Sequence, residues 1–135
     1  MTPGFQTRIA ETVTTDFRNF KMAAPLELTG PDGRRYRLPI GGPSDLASIP
    51  QEFWSVLPPF GEYALEAYAH DGAYQNWLEV WDGQAWVKAN LTKEQSDSLF
   101  HWLMQINPNI NAETREILWR AVVIAGAHAF KEDRG

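Results

Sequence analysis

The sequence predicts an α+β fold, in which an N-terminal β-hairpin or small antiparallel sheet packs on three main helices. A second hairpin is expected to lie inserted between two of the helices. Two observations carry this prediction: Asp-Gly pairs separate short strand-like runs at two places, and apolar residues recur at helical spacing along much of the second half. Because 135 residues suit one modest core, we expect a single domain over 1–135.

The N-terminal part predicts strands. Residues 1–24 have little periodic signal and are interpreted as a weakly specified lead-in with one candidate strand at 12–15. Residues 25–50 predict a hairpin followed by a polar loop, because two strand-like runs flank Gly30-Pro-Asp-Gly33. An Asp-Gly pair accepts the positive φ values that a tight turn needs.

Residues 51–129 predict the helical part. The first expected elements are a short aromatic helix after Pro50 and a helix from Glu62 to about Trp77. A hairpin over 78–88 then forms on the Asp82-Gly83 turn. Two helices follow: one begins after a Thr92-x-x-Gln95 capping box, and the last is capped by Asn111 and ends near Ala129. In a capping box the hydroxyl and the amide side chain satisfy amide groups at the start of the helix.

Composition excludes several classes of function. The net charge of -5 and a pI near 5.1 argue against a nucleic-acid partner, which would require a basic surface. The lack of cysteine removes disulfides and thiolate metal sites, and it fits an intracellular or virion context. Three widely spaced histidines disfavour zinc. No window approaches the roughly 18 apolar residues of a membrane span, so no transmembrane segment is expected.

The first candidate site combines His70, Asp71 and Tyr74 on one helix with Asp97 on the next. If these helices pack antiparallel, the Asp97 carboxylate can orient the His70 imidazole and stabilise its protonated form, which gives a His/Asp dyad for general-base chemistry. His101, four residues after Asp97, is a competing partner. Two interpretations stay open: a catalytic dyad, or a structural cluster in which His70 bonds a neighbouring chain segment and Asp71 pairs with an arginine.

The second candidate site is the loop at 44–48. Calcium prefers carboxylate and carbonyl oxygens, so Asp45, the Leu46 carbonyl and Asp71 would form a partial coordination shell that water completes. The alternative is that Asp45 or Ser48 caps the short helix that follows.

These motifs resemble a phage-associated family of unknown function, family 1353, over roughly residues 25–127. The matching segments are Ser44-Asp-Leu-Ala-Ser-Ile-Pro50, Pro58-Pro-Phe-Gly-Glu-Tyr63, His70-Asp-Gly-Ala-Tyr74, Asp97-Ser-Leu-Phe100 and Arg120-Ala-Val-Val123. The resemblance implies a phage or prophage origin, and with it a location in the host cytoplasm or the virion. It implies no established chemistry.

A second, partial resemblance is to the bacterial and fungal phospholipases A2, which also place His-Asp-x-x-Tyr on one helix and an Asp on its neighbour. It implies a general base, its supports and a calcium site. The corresponding residues here are His70 as base, Tyr74 and Asp97 as supports, and Asp71, Asp45 and the Leu46 carbonyl as calcium ligands.

The leading hypothesis is therefore a phage-encoded hydrolase that uses the His70/Asp97 dyad and a calcium ion to cleave a phospholipid or another ester. The ion would polarise the scissile carbonyl. The alternative is a non-enzymatic phage protein, either a virion or tail component or an inhibitor of host defence, with a phage or host protein as its partner. In that case the polar cluster only fixes the fold.

Overall fold

Antiparallel strands and three α-helices make up the part of the chain that the structure, a computed structural model, describes: residues 3–7, 12–14, 20–44 and 60–134. The predicted α+β class is confirmed. The strands are β1 (Gly4–Phe5), β2 (Thr12–Thr14), β3 (Phe20–Met22), β4 (Leu26–Thr29), β5 (Arg35–Leu38), β6 (Pro43–Ser44), β7 (Glu79–Trp81) and β8 (Trp86–Lys88). The helices are α1 (Phe60–Gln75), α2 (Lys93–Gln105) and α3 (Ala112–Arg134).

Both predicted hairpins are present, and they belong to one sheet. Strands β4 and β5 pair across the first Asp-Gly turn, where Gly33 has a φ of +81°. The second hairpin, β7 and β8, extends the same sheet because Val80 pairs with Tyr36 of β5. The order is β1-β4-β5-β7-β8. The hairpin predicted as an insertion between helices is therefore an edge of the main sheet.

The predicted lead-in contains more structure than its sequence indicates. The candidate strand near its middle is present as β2, and the prediction missed β1 and β3. Strand β1 adds to the main sheet beside β4, whereas β3 pairs with β2 and β6 in a three-stranded sheet. Strands of two or three residues are too short to show the two-residue alternation on which strand prediction depends.

Helix α1 is buried on both sides along most of its length, as an apolar helix without one polar face must be. Leu65, Ala69 and Ala73 belong to the core shared with the sheet, and Ala67 packs with Phe100 and other residues of α2 and α3. The helix ends two residues before the predicted boundary. Asn76 follows it in the left-handed conformation, with a φ of 61°, which terminates a helix.

The capping predictions for the other two helices are confirmed. Thr92 and Gln95 form the predicted capping box at the start of α2, and the Asn111 side chain accepts a hydrogen bond from the Thr114 amide at the start of α3. Helix α3 continues five residues past the predicted end, because residues 130–134 include no glycine or proline.

The predicted short helix after Pro50 lies outside the described residues. None of the helices that the structure describes is both long enough and apolar enough to cross a membrane.

Candidate active site

The two helices that carry the predicted dyad bring it together. The His70 and Tyr74 side chains lie one turn apart on the same stripe of α1, and both face α2. The distance from His70 Nε2 to Asp97 Oδ1 is 2.8 Å, and the Tyr74 hydroxyl donates to the same oxygen at 2.7 Å. Asn107, two residues after the end of α2, donates to Glu66, which lies one turn before His70 on α1, so the two helices run antiparallel, as predicted.

A fourth residue, Lys93, completes this cluster, and the sequence prediction missed it. The Lys93 ammonium donates to Asp97 Oδ2 at 2.7 Å and to the carbonyl oxygens of Val122 and Val123 at 3.3 and 3.1 Å. The signal that could have found it is the i, i+4 spacing of Lys93 and Asp97 on α2. The four side chains of His70, Tyr74, Lys93 and Asp97 are called the Asp97 network below.

The network keeps Asp97 ionised. Burial by itself would raise the pKa of this carboxyl group, but hydrogen bonds from His70, Lys93 and Tyr74, together with the His70 charge, outweigh burial and lower the pKa below its ordinary value. A carboxylate only accepts hydrogen bonds, so the neutral His70 ring must carry its proton on Nε2. The lone pair of the ring then lies on Nδ1, which is the atom that can take a proton.

Aromatic rings hold the His70 imidazole in place. Its ring centroid lies 4.2 Å from that of Tyr74 and 4.6 Å from that of Phe100. The Tyr74 ring in turn meets Phe130 of α3 edge-on at 5.3 Å. The His70 side chain is 0% exposed and that of Asp97 is 4% exposed. Buried charge is costly unless hydrogen bonds satisfy it, which explains why Asp97 has three donors.

Of the predicted calcium ligands, the structure describes Asp71 alone. Asp71 is buried, and its charge, added to the larger effect of burial, raises the pKa of Tyr68 to about 12. Asp45 and Leu46 lie outside the described residues. Within the ranges that the structure does describe, no three histidine or acidic side chains are grouped in a way that could hold a metal ion.

The competing partner, His101, belongs to a different pair. Its Nε2 lies 2.6 Å from Glu116 Oε2 of α3, and its ring packs against Trp119. The His101 side chain is 28% exposed, whereas the His70 side chain is buried. Among the residues that the structure describes there are therefore two histidine–carboxylate pairs, one in the core and one at the surface, and each can be compared with the other.

The Asp97 network has the arrangement of a general base with its orienting carboxylate. Asp97 fixes the tautomer and orientation of His70 and can stabilise the imidazolium that forms when Nδ1 accepts a proton. The geometry also fits the second interpretation of the sequence, because the network links α1, α2 and α3 through polar contacts.

Comparison with known families agrees with the motifs. Residues 20–122 match the family described as "Protein of unknown function (DUF1353)". No curated protein and no solved structure matches the chain. The matched segment covers most of the chain and contains His70, Tyr74, Lys93 and Asp97. The resemblance predicted from the motifs is thereby confirmed, and the chain belongs to the DUF1353 family.

Proposed function

We propose that this protein is an ester hydrolase in which His70 is the general base and Asp97 and Tyr74 orient it. The observation that carries the proposal is the 2.8 Å contact between His70 Nε2 and the buried, ionised Asp97. It leaves Nδ1 as the basic atom of the ring. A phospholipid is the substrate that the phospholipase A2 resemblance favours.

In the proposed reaction, His70 Nδ1 removes a proton from water while the water oxygen attacks the ester carbonyl carbon. The tetrahedral oxyanion then collapses, the carbon–oxygen bond to the alcohol breaks, and the leaving alkoxide takes the proton from Nδ1. The Asp97 carboxylate stabilises the intermediate imidazolium throughout. The low local dielectric of a buried site strengthens this interaction. Because His70 is fully buried, substrate entry requires movement of the chain around it.

Calcium is part of the proposal. Asp71, Asp45 and the Leu46 carbonyl provide only oxygen ligands, which is the donor type that calcium prefers. A bound ion would polarise the ester carbonyl and stabilise the oxyanion. Asp71 is buried, and a bound cation would neutralise its carboxylate there. The phage or prophage origin and the location in the host cytoplasm or virion stay predictions.

The alternative is a non-enzymatic protein, a virion or tail component or an inhibitor of host defence, in which the Asp97 network only fixes the fold. The contacts of Lys93 with the α3 backbone favour this alternative, because they tie a third helix to the pair.

The hydrolysis rate of a His70 variant distinguishes the hydrolase from the non-enzymatic alternative. We expect His70→Gln to lower the hydrolysis of phospholipid vesicles, or of a soluble chromogenic ester, by about 10²- to 10⁴-fold, the usual contribution of a general base. Glutamine can still donate to Asp97 but cannot accept the proton. The matched control is His101→Gln, which removes the surface pair and should leave the rate unchanged.

Chelation and a variant of Asp71 test the proposed role of calcium. Chelation of calcium should abolish turnover, and Asp71→Asn should raise the calcium concentration needed for activity. Thermal melting of each variant verifies that it is folded. Wild-type protein that hydrolyses neither substrate with calcium present would contradict the hydrolase proposal and leave the structural role.

A further inference from the structure

Lys93 occupies a position that local helix energetics disfavour. It is the first residue of α2, where the positive end of the helix dipole repels a cation. It also precedes Asp97 by four residues, and for such pairs the order with the acid first is the more favourable one. The local preferences of a helix therefore do not explain the presence of a lysine here, and its contacts with the rest of the molecule must be considered.

The contacts of the Lys93 ammonium are saturated. A lysine has three N–H donors, and Lys93 has three acceptors: Asp97 Oδ2, the Val122 carbonyl and the Val123 carbonyl. The two carbonyls lie near the middle of α3, and each oxygen has a second lone pair beyond the one used within the helix. An ammonium with acceptors in three directions has little freedom to move.

Stability alone does not account for this ion pair. The Asp97 side chain is 4% exposed and that of Lys93 is 18% exposed, so both charges have lost most of their hydration. Buried ion pairs commonly stabilise a fold no more than apolar residues of similar volume do. What the pair does provide is a fixed direction for each oxygen of the carboxylate.

We propose that Lys93 is a positioning residue for the proposed base: its ammonium anchors Asp97 Oδ2 to the α3 backbone, and Oδ1 is thereby held against His70 Nε2. The catalytic consequence rests on the proposed function, whereas the effect on His70 orientation does not.

The two carboxylate oxygens of Asp97 bind different donors. Oδ1 accepts from His70 and Tyr74, and Oδ2 accepts from Lys93. Without the ammonium, Oδ2 is no longer tied to α3, and the whole carboxylate can turn away from the His70 ring. While the Nε2–H···Oδ1 bond is broken, Asp97 no longer favours the tautomer with the proton on Nε2, and both neutral tautomers become populated. The ring would spend part of its time with Nδ1 protonated, a state in which that atom cannot act as a base.

The test compares two variants of Lys93: Lys93→Met, which keeps the aliphatic stem, and Lys93→Gln, which keeps a donor. The control is Lys88→Met on β8, which removes an exposed lysine charge. Imidazole ¹⁵N chemical shifts report the tautomer of the neutral His70 ring. We expect wild type and Lys88→Met to show a single tautomer with the proton on Nε2, and Lys93→Met to show a mixture of the two.

Kinetics provide the second measurement. We expect Lys93→Met to lower kcat by about tenfold or more with KM unchanged, since a displacement of roughly 1 Å can cost about 100-fold. A single Nε2-protonated tautomer in Lys93→Met would overturn the inference. Lys93→Gln has a shorter, uncharged side chain with only two N–H donors, so it cannot replace all three contacts and should also show a mixture. If Lys93→Met does not fold, a single Nε2-protonated tautomer in Lys93→Gln overturns the inference instead. Should wild type show no turnover, the proposed function fails, and the ¹⁵N shifts still decide the role of Lys93.

Discussion

At the residue scale, Asp97 determines what the other members of its network can do. It is buried, it accepts three hydrogen bonds from side chains on two helices, and its pKa is lowered despite burial. Each donor is consequently held in one orientation: His70 donates from Nε2, Tyr74 donates from its hydroxyl, and Lys93 donates from its ammonium. Removing any donor should affect both stability and the orientation of those that remain.

Tyr74→Phe tests this dependence with the smallest possible change. The substitution deletes one hydroxyl and keeps the ring that packs on His70 and Phe130. We expect the free energy of unfolding to fall by about 1–3 kcal/mol, because a buried carboxylate loses a donor. Urea denaturation measures this change. Tyr36→Phe on β5, which deletes a hydroxyl outside the network, is the comparison, and an equal loss in both variants would argue against a special role for Asp97.

At the scale of elements, local chemistry determines what the sequence can predict. The hairpins and both helix caps follow from Asp-Gly pairs, a capping box and an Asn cap, each of which acts over three or four residues. Strand β1 pairs with β4, and β3 pairs with β6 as well as with the nearby β2, so both have partners far along the chain. Their own sequences are too short to indicate them. The His70–Asp97 contact was predictable because one assumption, antiparallel packing of adjacent helices, sufficed. The Lys93 contacts with α3 required tertiary structure.

Gly72, the glycine of the His-Asp-Gly segment, is needed for the packing of α1, a requirement that the sequence alone does not show. The same edge of the Trp77 ring lies close to Gly72 of α1 and to Gly42, and a Cβ atom at these positions would lie 2.9 Å and 2.6 Å from ring atoms. Contacts of this length would force the ring or the backbone to shift. Both glycines are therefore needed for α1 to pack against the segment that leads into β6.

We expect Gly72→Ala to destabilise the protein by about 1–3 kcal/mol, the usual cost of overpacking. The decisive comparison is the same substitution in a Trp77→Val background, where the ring is gone. There, alanine should be neutral or stabilising by up to about 1 kcal/mol, because it is a better helix former than glycine. A loss of the same size in both backgrounds, measured by chemical denaturation, would show that the ring is not the cause.

At the scale of the whole molecule, α1 separates two cores and carries the candidate site on one side only. Its sheet-facing side packs in the larger cluster with β4, β5 and β7, and its other side packs in a smaller cluster with α2 and α3. The Asp97 network lies on the smaller side, where it links all three helices. The packing of the helices should therefore depend on pH through Asp97, whereas the backbone hydrogen bonds that pair the hairpin strands do not ionise.

The pH dependence of stability follows from the direction of the Asp97 shift. Its pKa in the folded protein lies below the ordinary value of 3.8, so the unfolded chain binds more protons in the interval between the two values. The stabilisation from Asp97 is complete above pH 3.8 and is lost as the pH falls through the folded-state value. Asp97→Asn removes the titrating group. We expect its difference in unfolding free energy from wild type to be largest above pH 3.8 and to shrink toward acid pH.

Glu116 provides the matched surface comparison, because its pKa is also lowered, mainly by the hydrogen bond with His101, and its side chain is 43% exposed. Salt screens exposed charges much more than buried ones. The effect of Glu116→Gln should therefore be small and should fade at high salt, while that of Asp97→Asn persists. Denaturation curves at several pH values and two salt concentrations test both expectations, and an Asp97→Asn effect independent of pH would show that its carboxylate charge does not hold the three helices together.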